Sequence, residues 1–354
     1  MNILDLTYGR TSYEIRFTYS VLFECALGIA IATYPQMHAT LEKPEAYWKE
    51  TTSQLSKQLQ TELEYCERNN TWKTLLQLLH QQDFVDIHTF IGYLETLSQE
   101  ELRYLSLPFL GGSSQEDRRK SAHGDALATE ALVATCQLHQ FFPAYIRFVA
   151  GVDGEELRRH LIVLIQLWHD QYLLVHAPDT MSILTRDIKQ KQAMLPNLAP
   201  EDFVRWATGG VSYPPEPTVT SVLLVPHYAY RPWTIQADME GTKILYYPVA
   251  DQSLDWEEDQ YRPPLALVQR YKALGDETRL RILKLLYKQN RSLHELTDIL
   301  EIAKSTVHHH LALLKSAYLV ETKDHLYGLN HSLLSLADAE LLQYLKRGTT
   351  DETL

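Results

Sequence analysis

The sequence predicts a mostly α chain with a small sheet: an N-terminal α+β unit, then a smaller helical unit ending in a hairpin. Three observations carry that prediction. Apolar residues recur at helical spacing through most of the chain, with Ser, Asp, Pro and Gly at the expected helix ends. Strand-like stretches are few: Tyr13 to Tyr19, then Val219 to Pro226, Trp233 to Asp238 and Lys243 to Tyr247. An acidic, Pro-ended stretch, DQSLDWEEDQYRPP at 251–264, reads as a linker before the last quarter. At 354 residues two domains are expected, at 1–250 and 265–348.

In order, YEIRFTY at 13–19 alternates polar and apolar β-formers and predicts a strand. Ser20 then caps an apolar helix to about Thr33, stopped by Pro35. Glu24 inside it is unusual. It either reaches solvent or a cation, or anchors a ligand, and in the ligand reading Tyr230 and Trp233 join it. A helix is expected from Pro44 to about Asn70, with more at 71–82, 84–96 and 98–106. Gly111-Gly112-Ser113-Ser114 and the charged EDRRK beyond it read as an exposed loop, since no phosphate-binding pattern follows the glycines. Helices resume at 124–141 and 154–174. His160, His169 and His176 there read as buried or interface histidines, the last two lying too far apart to share a metal unaided. Further helices are expected at 179–194 and 200–207, the second stopped by Gly209-Gly210. The three later strands, the last two joined at Glu240-Gly241, are expected to share one sheet with 13–19.

The last quarter reads as four helices and a hairpin. Pro263-Pro264 opens the first helix and Gly275 closes it. Asp276 caps the second, whose apolar side is Leu280, Ile282, Leu283, Leu285 and Leu286. Ser292 and Glu295 form a capping box for a short third helix carrying Leu296, Ile299 and Leu300. Glu301-Ile302 turns into a fourth helix, Ala303 to Ala317. Two helices on a tight turn make a helix-turn-helix. At about 100° per residue, Ala303, Val307, His310, Leu311 and Leu314 face the core. Lys304, Ser305, His308, His309, Ala312 and Lys315 face outward, with Thr306 on the border. That outer face carries no acid and suits a major groove, where Lys, Ser, Thr and His donate to phosphates and base edges. Strands flanking Asp324-His325 make a candidate wing. The expected DNA contacts are Ser292, Lys304, Ser305, Thr306, His308, His309, Lys315, Lys323 and His325.

LGDETRLRILKLL, SLHELTDIL, KSTVHHHLALLKSAYLV and YGLN, in that order, resemble the winged helix-turn-helix of ArsR-type bacterial transcriptional regulators. The resemblance implies a C-terminal winged helix-turn-helix domain. It also implies a dimer built from the first and last helices of the unit, the last being HSLLSLADAELLQYLKR at 331–347. LLVPHYAYRPWTIQADMEGTKILYYPV and the opening strand-Ser-helix with Phe23-Glu24 resemble the companion domain of some Gram-positive members.

Metal sensing of the family's familiar kinds is not expected. The helix before the recognition helix has no cysteine, and the last has Asp338 and Glu340 but only His331, at its start. His308-His309-His310 splays over about 200° of a helix and cannot close on one ion. No cofactor is expected, and no GxSxG, HExxH, Walker or dinucleotide fingerprint points to an enzyme.

Net charge is −12, yet residues 264–348 hold 12 Lys/Arg against 9 Asp/Glu, so the acidity lies elsewhere. Three cysteines without CxxC spacing, no signal-like N-terminus and no run long enough to span a bilayer predict a cytoplasmic protein with no membrane partner. The expected function is a homodimeric, operator-binding repressor of double-stranded DNA, answering a small-molecule effector through the N-terminal domain. The alternative is an enzyme or partner-protein scaffold whose winged helix only docks.

Overall fold

The computed structural model describes residues 12–177, 179–254, 263, 265–317, 319–323, 326–331, 341, 342, 344 and 345. The chain divides into two compact units, Met1–Pro200 with Pro214–Val249, and Glu201–Tyr213 with Ala250–Leu354. Helices dominate both. Among the described residues the first unit carries a four-stranded sheet and the second a two-stranded hairpin.

The first unit opens with β1 (Glu14–Phe17) and α1 (Val21–Ala32), capped where expected by the Ser20 hydroxyl, which accepts the Leu22 N–H. Apart from Glu24, helix α1 is apolar all round and therefore central rather than amphipathic. The helices α2 (Glu45–Gln54), α3 (Lys57–Asn69), α4 (Trp72–Leu79), α5 (Ile87–Thr96) and α6 (Gln99–Ser106) follow. Then come α7 (Gln115–Ala122), α8 (Ala126–Thr135), α9 (Phe142–Gly151) and α10 (Gly154–Trp168). A π-helical turn, His169–Leu173, joins α10 to α11 (Leu174–His176), and α12 (Thr180–Met194) comes next. Gly28 on α1 faces Trp168, where a Cβ would lie 3.0 Å from the indole, so the close approach of α10 requires glycine.

The short α13 (Pro200–Ala207) is grouped, from Glu201 on, with the second unit. The chain then completes the first unit's sheet with β2 (Ser221–His227), β3 (Ile235–Met239) and β4 (Thr242–Pro248). The order is β1-β2-β4-β3, with β1, β2 and β4 parallel and β3 antiparallel to β4 across the Glu240-Gly241 turn. Gly241 there adopts φ 68, a conformation that favours glycine. Central strands β2 and β4 bury Val222, Leu224, Val225, Ile244, Leu245, Tyr246 and Tyr247, the near-continuous apolar run of parallel strands covered on both faces.

Three expectations for this unit need correction. The helix expected from Pro44 to Asn70 is two helices. Leu55 is extended, and Ser56 caps a new start, its hydroxyl accepting the Leu59 N–H while its own N–H binds Gln171 on the π turn. The stretch after Gly111-Gly112 is helix α7, because Arg118 reaches back to the Tyr104 and Leu107 carbonyls and so anchors it. The helix expected over 124–141 stops at Thr135, and α9, with Pro143 in its first turn, begins at Phe142. Of the histidines expected to be buried or at an interface, His160 is buried, 2.7 Å from the Thr71 hydroxyl, and His176 is exposed.

Glu24 does not reach solvent. It is 4% exposed, and its carboxylate accepts the backbone N–H groups of Tyr228 and, at 3.0 Å, Ala229, holding the segment after β2 against α1. Burial pushes its carboxyl up to about 7, opposed by those amides and by Lys43. Its folded value lies above the unfolded one, so it contributes stability fully below about pH 4.5, lost as pH rises through about 7. Glu24→Gln does not titrate. In urea melts across pH, the stability of the natural chain relative to Glu24→Gln is expected to fall over that window and then level off. A constant difference would reject the assignment.

Candidate nucleic-acid interface

The second unit is built on signals that act over a few residues. Helix α14 (Leu265–Leu274) precedes α15 (Glu277–Lys288), whose cap, Asp276, accepts the Arg279 N–H at 2.9 Å. That hydrogen bond holds the Asp276 carboxyl below its ordinary value. Arg279 turns back to the Ala273 and Lys272 carbonyls at the end of α14, so one residue pair fixes the join. Ser292 and Glu295 form the expected capping box for α16 (Leu293–Leu300). Glu301 then takes φ 56, left-handed backbone that turns the chain into α17 (Lys304–Ser316). Strands β5 (Val320–Lys323) and β6 (Leu326–Leu329) pair antiparallel, and Arg291 adds a bridge to Tyr327.

The core beneath is one apolar cluster. Ile282, Leu283 and Leu286 from α15, and Leu296 and Leu300 from α16, meet Val307, Leu311 and Leu314 of α17. Leu319, Val320 and Leu329 close it from the hairpin. Three residues expected inward are not. Leu280 is 51% and Ile299 45% exposed, and Ala303, the cap of α17, is exposed. The helices present narrower faces than 100° arithmetic suggested, because the small core is filled by the other leucines and isoleucines.

Helix α17 divides as its sequence predicts. Lys304, Ser305, His308, His309, Ala312 and Lys315 are exposed along one side, and Thr306 on its border is exposed too. No acid interrupts that side. Desolvation lowers the Lys315 ammonium from its ordinary value. His310 turns inward, its side chain 14% exposed and its Nδ1 3.8 Å from Asp276 Oδ1. Burial lowers the His310 imidazole, with Asp276 opposing. The three consecutive histidines thus split into two outward and one inward. Ser292, half-buried, uses its hydroxyl in the capping box. The side chain of Lys323, and His325, lie outside the described residues, as does most of the last helix expected at 331–347.

A helix with an exposed cationic and hydroxyl-bearing face, set on a tight turn and followed by a hairpin, is the recognition arrangement of a winged helix-turn-helix. Residues 276–322 match the family described as bacterial regulatory protein, arsR family. The chain carries an arsR-family helix-turn-helix domain. The match spans the cap of α15, the turn, α17 and most of β5. The arsR-family domain sits C-terminal to a large α/β region, and DNA-binding transcription regulation is its function class. No curated protein and no solved structure matches the chain. Among the described residues no helix is long and apolar enough to cross a membrane.

The three residues considered for a ligand all lie in the first unit. Glu24 is engaged by backbone amides, and the Trp233 indole N–H donates to Thr40 Oγ1 at 3.0 Å. Tyr230 is half-buried, its ring centroid 6.3 Å from that of His227. Burial pushes its hydroxyl up to about 12. The polar atoms of Glu24 and Trp233 therefore serve the fold. Sequence reasoning overlooked Lys43 and Tyr172, which the structure brings to Tyr47, Trp48 and Tyr228. No local pattern marks them, because they come from separate segments.

Proposed function

We propose that the chain is a ligand-responsive, dimeric repressor that binds an operator in double-stranded DNA through the outward face of α17. The acid-free face bearing Lys304, Ser305, Thr306, His308, His309 and Lys315 carries this reading. Lys304 and Lys315 contact phosphates, while His308, His309 and the hydroxyls meet base edges. Lys323 and His325, from the expected wing, are further contacts in this reading, and Ser292 is one only through what its capping box leaves free. Two copies related by a two-fold axis place their recognition helices about 34–36 Å apart, one turn of DNA. Leu342 and Leu345, 56% and 58% exposed near the chain end, supply apolar surface for that pairing.

Repression is steric in this reading, and the N-terminal unit is the sensor. An effector acts only by binding the operator-competent and incompetent states with affinities that differ by a few kcal/mol. The chain carries out no catalysis, holds no cofactor or metal, and works in the cytoplasm. A gel shift with the promoter of its own operon is the direct test. The expected result is a retarded complex at low salt that dissolves as salt rises. No complex, where a control regulator binds, sinks the reading.

A further inference from the structure

The most unusual chemistry outside the DNA-binding unit surrounds one ammonium. Lys43 lies in the connection before α2, and its Nζ sits 4.6 Å from the ring centroid of Tyr47, 5.2 Å from Tyr228, 5.8 Å from Tyr172 and 6.0 Å from Trp48. The ammonium donates to the Tyr47 hydroxyl at 3.2 Å and the Tyr172 hydroxyl at 3.3 Å. Its hydrogen-bond partners among the described residues are thus phenol oxygens and not a carboxylate. Trp48 and Tyr172 are buried, whereas Lys43, Tyr47 and Tyr228 are half-buried, so the cage opens to solvent.

The walls of the cage are fixed. Tyr47 and Trp48 stand on α2, with their rings at 90° and centroids 5.4 Å apart. Tyr172 comes from the π turn and stacks on Trp48 at 5.9 Å, and π-helical insertions gather at functional sites. Tyr228 is held by its own N–H, which binds the Glu24 carboxylate. That carboxylate also attracts positive charge at Lys43. The occupant, by contrast, hangs on a short connection and can withdraw into water without breaking an ion pair. The cage is built for a cation, and the chain fills it with its own.

We propose that this cage is the effector site of the N-terminal unit, that its ligand is a primary organic amine, and that Lys43 is a resident substitute which the ligand expels. Four aromatic faces attract any ammonium. The hydroxyl oxygens of Tyr47 and Tyr172 add a requirement for N–H donors, which a quaternary ammonium lacks. The proposal rests on the reading of the chain as a ligand-responsive regulator and names the class of its ligand.

Calorimetry on the full-length chain without DNA tests it, with n-propylammonium and tetramethylammonium chlorides as probes at matched ionic strength. Lys43→Ala should bind propylammonium saturably, and at least about tenfold more tightly than the natural chain, which must first release its own lysine. Tetramethylammonium should bind Lys43→Ala at least about tenfold more weakly than propylammonium, because it donates no hydrogen bond. A second variant does not depend on Lys43→Ala folding. Tyr47→Phe in the otherwise natural chain should narrow the preference for propylammonium over tetramethylammonium, because the resident lysine and the primary amine lose the same hydrogen bond and the quaternary cation loses none. No saturable binding by Lys43→Ala overturns the site, and equal binding of the two cations overturns the primary-amine assignment. A chain that binds amine but no operator would reject only the regulator reading, and the reverse pattern would reject only the cage.

Discussion

Leu311→Ala is expected to destabilise the C-terminal unit by about 2–5 kcal/mol and to abolish DNA binding at temperatures where the natural chain binds. Leu311 is 1% exposed at the middle of the cluster that joins α15, α16 and α17 to the hairpin. Truncation removes its transfer free energy and leaves a void that this packing cannot fully close. A unit of this size commands only about 5–15 kcal/mol in all, so the loss is a large fraction of its stability. Amide hydrogen exchange of α17 under mild urea reads this unit separately from the rest of the chain. A change below about 1 kcal/mol would mean that α17 is not seated as described.

The C-terminal unit was legible because its instructions are local. Asp276 caps α15, Ser292 and Glu295 close a capping box, and Glu301 makes the turn, each within four residues of its partner. The two faces of α17 followed from helical period alone. What the period could not supply was how much apolar surface the small core would take up, hence the exposed Leu280 and Ile299.

In the first unit the decisive partners are far apart in sequence. A helical reading of 44–70 looks sound until Gln171, 115 residues away, accepts the Ser56 N–H and donates to the Ser56 hydroxyl. EDRRK looks like a solvated loop until Arg118 finds carbonyls at the end of α6. Glu24 meets its amide donors across 204 and 205 residues, and no periodicity announces that a buried carboxylate will find two N–H groups there. The aromatic cage is the extreme case. Tyr228 lies in a strand-rich stretch, but Lys43, Tyr47, Trp48 and Tyr172 carry no pattern that singles them out. The hydroxyls of Tyr47 and Tyr172 come together across 125 residues. Such a site follows from packing, so sequence reasoning reaches its residue types but not their meeting.

The opposite face of α17 should behave in the opposite way to Leu311. In Lys304→Ala/His308→Ala/His309→Ala all three altered side chains are exposed, so circular dichroism and the denaturation midpoint should stay within about 0.5 kcal/mol of the natural chain. Operator affinity should nonetheless fall roughly a hundredfold or more. A good base contact is worth about 1–3 kcal/mol of discrimination, and the variant removes two candidates for one. Losing the Lys304 phosphate contact should also lower the slope of log affinity against log salt by about 0.9. The single changes separate the roles. Lys304→Ala should weaken specific and non-specific DNA alike and carry the salt effect, whereas His308→Ala should narrow the gap between them. If the triple variant kept the natural affinity and salt slope, α17 would not be the helix that enters the groove, and the DNA-binding face would have to be sought elsewhere on the arsR-family domain.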